Sequence, residues 1–151
     1  MCTGNTCRSP IAEVLARREQ ERRGWEWMEV VSAGTFAPRD EPASELAEIV
    51  ARRSGLDLTS HRTRPLVPDL VESAELVVGM GPSHVEIARQ LCPRADPVLI
   101  TRFLSVGHPA RELAVPDPAG GSLHEYERTF ELLAAAVQGL FGHLEERFGV
   151  P

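Results

Sequence analysis

Leu76-Val77-Val78-Gly79-Met80 is an unbroken apolar run of five residues. That length suits a strand, and the lack of polar alternate positions suits one buried on both faces of a parallel sheet. Pro97 to Thr101 (PVLIT) is a second apolar run of strand length, and Glu29 to Ala33 (EVVSA), ending at Gly34, reads as a third. Helical patterns lie between and around them. Ser9-Pro10 reads as an N-cap followed by Pro at the first helical position. Ile11, Val14, Leu15 and Arg18 then follow helical spacing, and Gly24 closes the segment. Ser44 to Arg53 is a second helix with Leu46, Ile49, Val50 and Arg53 on one face and Gly55 past its end. A third runs from about Pro82 to Leu91. The last starts at a capping-box pair, Ser122 and Glu125. Tyr126, Phe130, Leu133, Val137, Leu140, Leu144 and Phe148 recur along it at spacings of three and four. Gly139 and Gly142 lie inside it, each costing about 1 kcal/mol relative to Ala. Strands alternating with helices predict an α/β fold with a mostly parallel sheet.

The 151 residues fit one domain, 1–151, with no internal repeat. No window reaches the ~18 apolar residues of a membrane span, and the first residues do not read as a signal peptide. Sixteen basic residues, all arginine, stand against 22 acidic ones, a net charge of −6. An acidic domain is a poor binder of nucleic acid, which needs a basic surface. Three cysteines, at 2, 7 and 92, make no disulfide framework. A low, odd count points to a reducing, cytoplasmic compartment and to one cysteine with a special role.

That cysteine lies in Cys2-Thr3-Gly4-Asn5-Thr6-Cys7-Arg8-Ser9-Pro10. Cys2 is a potential nucleophile. The residues after it, including the permissive Gly4, can curl so that backbone N–H groups point inward. Arg8 offers a planar, permanent cation to a tetrahedral oxyanion. A helix begins at Ser9-Pro10, so its positive end faces the same place. These features favour negative charge at one point and hold Cys2 as a thiolate. A zinc site does not fit, because Cys2 and Cys7 have no further Cys or His pair nearby to complete four ligands.

The string CTGNTCRSP resembles the signature of the low-molecular-weight protein tyrosine phosphatases. Ser32-Ala33-Gly34-Thr35, Ser60-His61-Arg62-Thr63-Arg64, the run ending at Met80, and Asp117-Pro118 followed by Gly120-Gly121-Ser122 fall in family order, so the resemblance covers essentially the whole chain. It implies a four-stranded, mostly parallel sheet flanked by helices, with the phosphate-binding loop between the first strand and first helix. Only Met1 precedes Cys2 here. The first strand is therefore expected to be missing, and the natural protein to begin some residues earlier.

The resemblance also implies roles. Cys2 would attack phosphorus and form a phosphocysteine. Arg8 and the amides of Thr3, Gly4, Asn5, Thr6, Cys7 and Ser9 would bind the phosphoryl oxygens. Asp117 would protonate the leaving atom and then activate water, with no metal and no cofactor. Asp96-Pro97 is a second Asp-Pro pair, but it opens a strand and lacks the Gly-Gly-Ser that follows Asp117. Asn5, Ser9, Ser32 and His61 would hold the loop in shape. Cys7 is either a redox partner of Cys2 or a small buried residue, and Cys92 is structural.

The substrate would be a phosphorylated protein. Thr6 is similar to the branch acting on phosphoarginine, where tyrosine-acting relatives carry a larger apolar residue. Phe36 also matches that branch, as a pocket wall or else a core residue. Ala119 departs from the family, which has an aromatic there. These residues lean to phosphoarginine, with phosphotyrosine the alternative. Two rivals remain. An arsenate reductase on this fold needs a relay of further cysteines, for which only Cys92 is available. A catalytically impaired phosphopeptide-binding module would follow from the absent first strand.

Overall fold

The computed structural model describes residues 1–148; the last three residues of the expected domain lie outside them. In chain order the elements are α1 (Arg8–Arg23), α2 (Glu45–Arg53), α3 (Pro68–Ser73), β1 (Val78–Gly79), α4 (Pro82–Leu91), β2 (Val98–Leu99), a 3-10 turn (Ile100–Phe103) and α5 (Leu123–Phe148).

β1 and β2 pair in parallel, Val78 opposite Val98 and Gly79 opposite Leu99. The sheet continues on the other side of β1 as single-residue contacts. The Met1 amino group donates to Val78 O at 2.7 Å, and Met80 N donates to Met1 O at 3.1 Å. Cys2 bridges Gly34 and Gly34 bridges Pro65, both in parallel. The lateral order is thus Pro65, Gly34, Met1–Cys2, β1, β2, and the parallel α/β expectation holds.

The regular strands are shorter than the apolar runs. Segment 29–33 forms no strand among the described residues, and only Gly34 pairs. Its neighbours allow little more: Pro65 has no N–H to give, and the chain turns into the loop after Cys2. Full burial of 76–80 is also corrected. Leu76 to Val78 and all of β2 are half-buried, because this pair forms one end of the lateral order, with α4 packed against it.

Helix α1 begins at Arg8, with Cys7 in the cap position and no side-chain cap. Ser9 is not the N-cap its sequence suggests; its hydroxyl is used inside the loop. Ser44 does cap α2, accepting from Ala47 N at 3.4 Å. The buried face of α2 is Ala47, Val50 and Ala51, offset from the expected one, with Leu46 and Ile49 only half-buried. The short α3, opened by Pro68, was not foreseen.

The capping box of α5 forms as expected: Ser122 N donates to Glu125 Oε2 at 2.6 Å and Glu125 N to Ser122 Oγ at 3.4 Å. Tyr126, Leu133, Val137, Leu140 and Leu144 are buried, whereas Phe148 stays exposed. They share one core with Ile11 and Leu15 of α1 and with Trp25, which stacks on Phe141 at 5.4 Å. Helix α5 thereby braces α1, α2 and the 3-10 turn.

Gly139 explains itself in this packing. A Cβ there would lie 1.8 Å from Phe103 O, whereas one at Gly142 would meet nothing within 4 Å. Close approach to the turn needs the first glycine only. We expect Gly139→Ala to destabilise by about 1–3 kcal/mol through overpacking, and Gly142→Ala to stabilise by up to about 1 kcal/mol. Thermal melts of the two variants check this, and equal shifts would refute it.

Candidate active site

Residues 2–9 wrap around the start of α1 through a buried polar network centred on Asn5. Asn5 is fully buried and has a positive φ of 55°, a conformation asparagine tolerates better than most residues. Its amide nitrogen donates to Ser9 Oγ at 2.9 Å and Ser32 Oγ at 2.8 Å. Its Oδ1 accepts from Arg64 N at 2.9 Å, and its carbonyl oxygen lies 2.8 Å from His61 Nε2. Glu13 accepts from the Ser32 hydroxyl and lies 3.9 Å from His61 Nδ1. Gly34 lets the loop backbone press close: a Cβ there would sit 2.4 Å from Thr3 O and 2.9 Å from Asn5 N.

Cys2 is 2% exposed, and its Sγ lies 3.0 Å from Ser9 Oγ. Its backbone is held by Ala33 O, which accepts from Cys2 N at 3.3 Å, and by Thr35 N, which donates to Cys2 O at 2.9 Å. Arg8 is buried. Its Nη1 donates to Val115 O at 3.2 Å and its Nη2 to Asp117 Oδ2 at 3.0 Å. Among the described residues its buried Nε meets no acceptor, so one donor is left for a further oxygen. The Asp117 side chain is half-exposed, at the boundary between the buried guanidinium and solvent.

Cys7 is sequestered. Its thiol donates to Ser44 Oγ at 3.3 Å and lies 3.1 Å from the Tyr126 hydroxyl, to which Ser44 donates at 3.3 Å. Burial first, then the bond to Cys7, pushes Tyr126 up to about 12, so the phenol keeps its proton. Thr3 Oγ1 lies 2.9 Å from Nε2 of the buried His84. Burial and, next, the Arg8 charge push His84 down to about 4, so its ring is neutral near neutral pH.

All the loop residues expected at the site, with Ser32, His61 and Asp117, therefore meet here. Phe36 is 86% exposed and is not a core residue. Its backbone N–H donates to Thr3 O at 2.9 Å, so its ring stands free beside the loop. Thr6 is half-buried, with its hydroxyl 3.5 Å from Cys7 Sγ. Asp96 lies apart, 94% exposed and 4.0 Å from Arg89. Cys92 ends α4. No group of three or more His, Cys, Asp or Glu is placed to hold a metal among the described residues.

Sequence reasoning missed Glu13, Ser44, His84, Val115 and Tyr126. Glu13 had a signal, because it stands four residues after Ser9 on α1 and so on the same face. His84 and Tyr126 had none, since they reach the loop across 81 and 119 residues.

Residues 1–148 match the family model described as low molecular weight phosphotyrosine protein phosphatase. The chain belongs to this family. The phosphatase is 35% identical over 147 residues to the protein-arginine-phosphatase of Bacillus subtilis, covering 97% of this chain and 95% of that one. It is 33% identical to a low molecular weight protein-tyrosine-phosphatase of Streptomyces coelicolor, covering 97% and 92%. Among solved structures it is similar to the arginine phosphatase YwlE in a mutant form with a phosphorylated active-site serine. That likeness has a TM-score of 0.87 at 32% identity and covers 99% of this chain and 96% of the other. The enzyme is thus a protein phosphatase of the tyrosine- and arginine-acting family, and neither an arsenate reductase nor a binding module finds support in these relatives.

Proposed function

We propose that the phosphatase hydrolyses phosphoarginine in proteins through a phosphocysteine at Cys2. The observation that carries the chemistry is the buried Arg8. It is fixed on one side by Val115 O and Asp117, and its Nε is left without an acceptor among the described residues. With the amides of Thr3 to Ser9 and the start of α1, it forms a preorganised receptor for the three equatorial phosphoryl oxygens.

Cys2 Sγ attacks phosphorus as the P–N bond breaks. The carboxylic acid of Asp117 gives its proton to the leaving guanidinium nitrogen, then as carboxylate accepts one from the water that attacks the phosphocysteine. The P–S bond breaks, and inorganic phosphate leaves. The Ser9 hydroxyl, 3.0 Å from Cys2 Sγ, stabilises sulfur as thiolate before attack and again as it departs. Asn5, Ser32 and His61 keep the loop in shape.

The preference for arginine rests on three residues. Thr6 is small and polar where it borders the loop. Phe36 is free to line an elongated side chain. Ala119 offers no ring to stack on a phenol, which forgoes about 0.5–1.5 kcal/mol. The arginine phosphatase named above, with its phosphorylated active-site serine, supports both the substrate and the site of phosphoryl transfer. Comparing kcat/KM on phosphoarginine and phosphotyrosine forms of one peptide tests the reading. We expect phosphoarginine to lead, and Thr6→Ile to move the ratio towards tyrosine by about tenfold or more, as an apolar pocket change of this size does. Equal or faster turnover of phosphotyrosine by the unaltered enzyme would sink the preference.

A further inference from the structure

We propose that His84 is a positioning residue for the phosphoryl-binding loop, acting through the Thr3 hydroxyl. The proposal rests on the reading that residues 2–9 bind the phosphoryl group.

The loop has two kinds of support. Asn5 and its partners fix the stretch from Asn5 to Ser9. On the Cys2 side the backbone bonds end at Thr3, whose carbonyl accepts from Phe36 N at 2.9 Å. Gly4 follows, and among the described residues its N–H and C=O carry no hydrogen bond. A permissive residue without bonds can turn the peptide that follows it. The Thr3 and Gly4 amides, to be held still for the phosphoryl oxygens, lie in planar peptides held at their carbonyl ends, where Cys2 O accepts from Thr35 N and Thr3 O from Phe36 N, each at 2.9 Å. The side-chain restraint next to that weak point is the bond from Thr3 Oγ1 to His84 Nε2, at 2.9 Å.

His84 is suited to the task by its place. It is 3% exposed and lies in the first turn of α4, where its backbone N–H donates to Gly81 O at 3.1 Å. Helix α4 packs on β1 and β2, so the ring is anchored to the sheet rather than to the loop it serves. Its Nδ1 is buried and has no partner among the described residues. A buried lone pair is tolerated better than a buried N–H. We therefore assign the proton to Nε2, which donates to the Thr3 hydroxyl. A neutral ring also adds no second cation beside Arg8, so it shapes the loop without binding anions itself.

The bond is asked to hold an amide that contacts oxygens gaining charge in the transition state. Losing it should lower kcat more than it raises KM. The experiment measures kcat and KM for p-nitrophenyl phosphate in the full chain, for His84→Phe, His84→Gln, Thr3→Val and the Thr3→Val/His84→Phe pair. Circular dichroism checks that each variant is folded. We expect His84→Phe and Thr3→Val each to lower kcat about tenfold with KM within about twofold. His84→Gln, whose amide can donate to the same oxygen, should recover most of kcat. The double variant should be no worse than the worse single one, because both remove one bond. Multiplying losses in the double variant, no recovery with glutamine, or unchanged kcat in a folded His84→Phe would each overturn the proposal. If His84→Phe does not fold, the comparison of Thr3→Val with Thr3→Val/His84→Gln decides: equal kcat supports the bond, and a further loss opposes it. Cys2→Ser tests the underlying reading separately. Retained turnover there would remove the loop as the reaction site, whereas lost turnover with unaffected His84 and Thr3 variants would remove only the present inference.

Discussion

Cys2→Ser is expected to lower kcat by a factor on the order of 10⁴–10⁶ while leaving phosphate affinity within a few-fold, as removal of a nucleophile does. The substitution exchanges one atom in a buried position and keeps a hydroxyl opposite Ser9. The loop, Arg8 and Asp117 stay in place, so the proposed oxyanion receptor is intact. What is lost is sulfur, which is intrinsically far more nucleophilic than an aliphatic hydroxyl. Steady-state turnover of p-nitrophenyl phosphate, with calorimetric titration of inorganic phosphate, gives both quantities. More than about a hundredth of the original kcat would exclude Cys2 as the nucleophile.

Arg8→Lys ranks second, with an expected loss of about 10²–10³ in kcat/KM, the usual effect of removing an oxyanion donor. The charge survives, but its shape does not. The guanidinium spans Val115 O and Asp117 Oδ2 at 3.2 and 3.0 Å, and its buried Nε has no acceptor among the described residues. An ammonium is a point charge on a flexible stem and cannot serve three directions in one plane. In its proposed role Arg8 grips the phosphoryl group before and during transfer, so both kcat and KM should worsen. Arg22→Lys is the control: its partner Glu19 lies about three turns along α1 from the loop and Arg22 itself is exposed, so activity should not change. Activity of Arg8→Lys near that of the control would refute the assignment.

The site was legible where chemistry is local. Cys2, Arg8 and the loop between them form one contiguous string, and Asp117 opens a loop ahead of a capped helix. Ser9 shows the limit of local rules. Ser-Pro is a good cap signal, yet the Ser9 hydroxyl is taken by Cys2 and Asn5, and the helix starts two residues earlier, at Arg8. The offset face of α2 has a related cause. Ala47 and Ala51 carry little hydrophobic weight in a periodicity, but their small side chains are what packs inward. Strand lengths depended on what neighbours offer for pairing, and one neighbour is Pro65. His84, Tyr126 and Val115 were invisible because each meets the loop only after distant segments have packed.

That last fact bears on how the enzyme assembles. The loop is short, yet its restraints tie Asn5 to His61, Thr3 to His84, Arg8 to Val115 and Cys7 to Tyr126. Contacts of such sequence separation form slowly, because each closes a long stretch of chain. The helices can therefore gain their backbone bonds before the phosphoryl receptor exists. During refolding from denaturant, recovery of turnover should trail recovery of the helical signal, and catalytic activity becomes a reporter of the final step of folding.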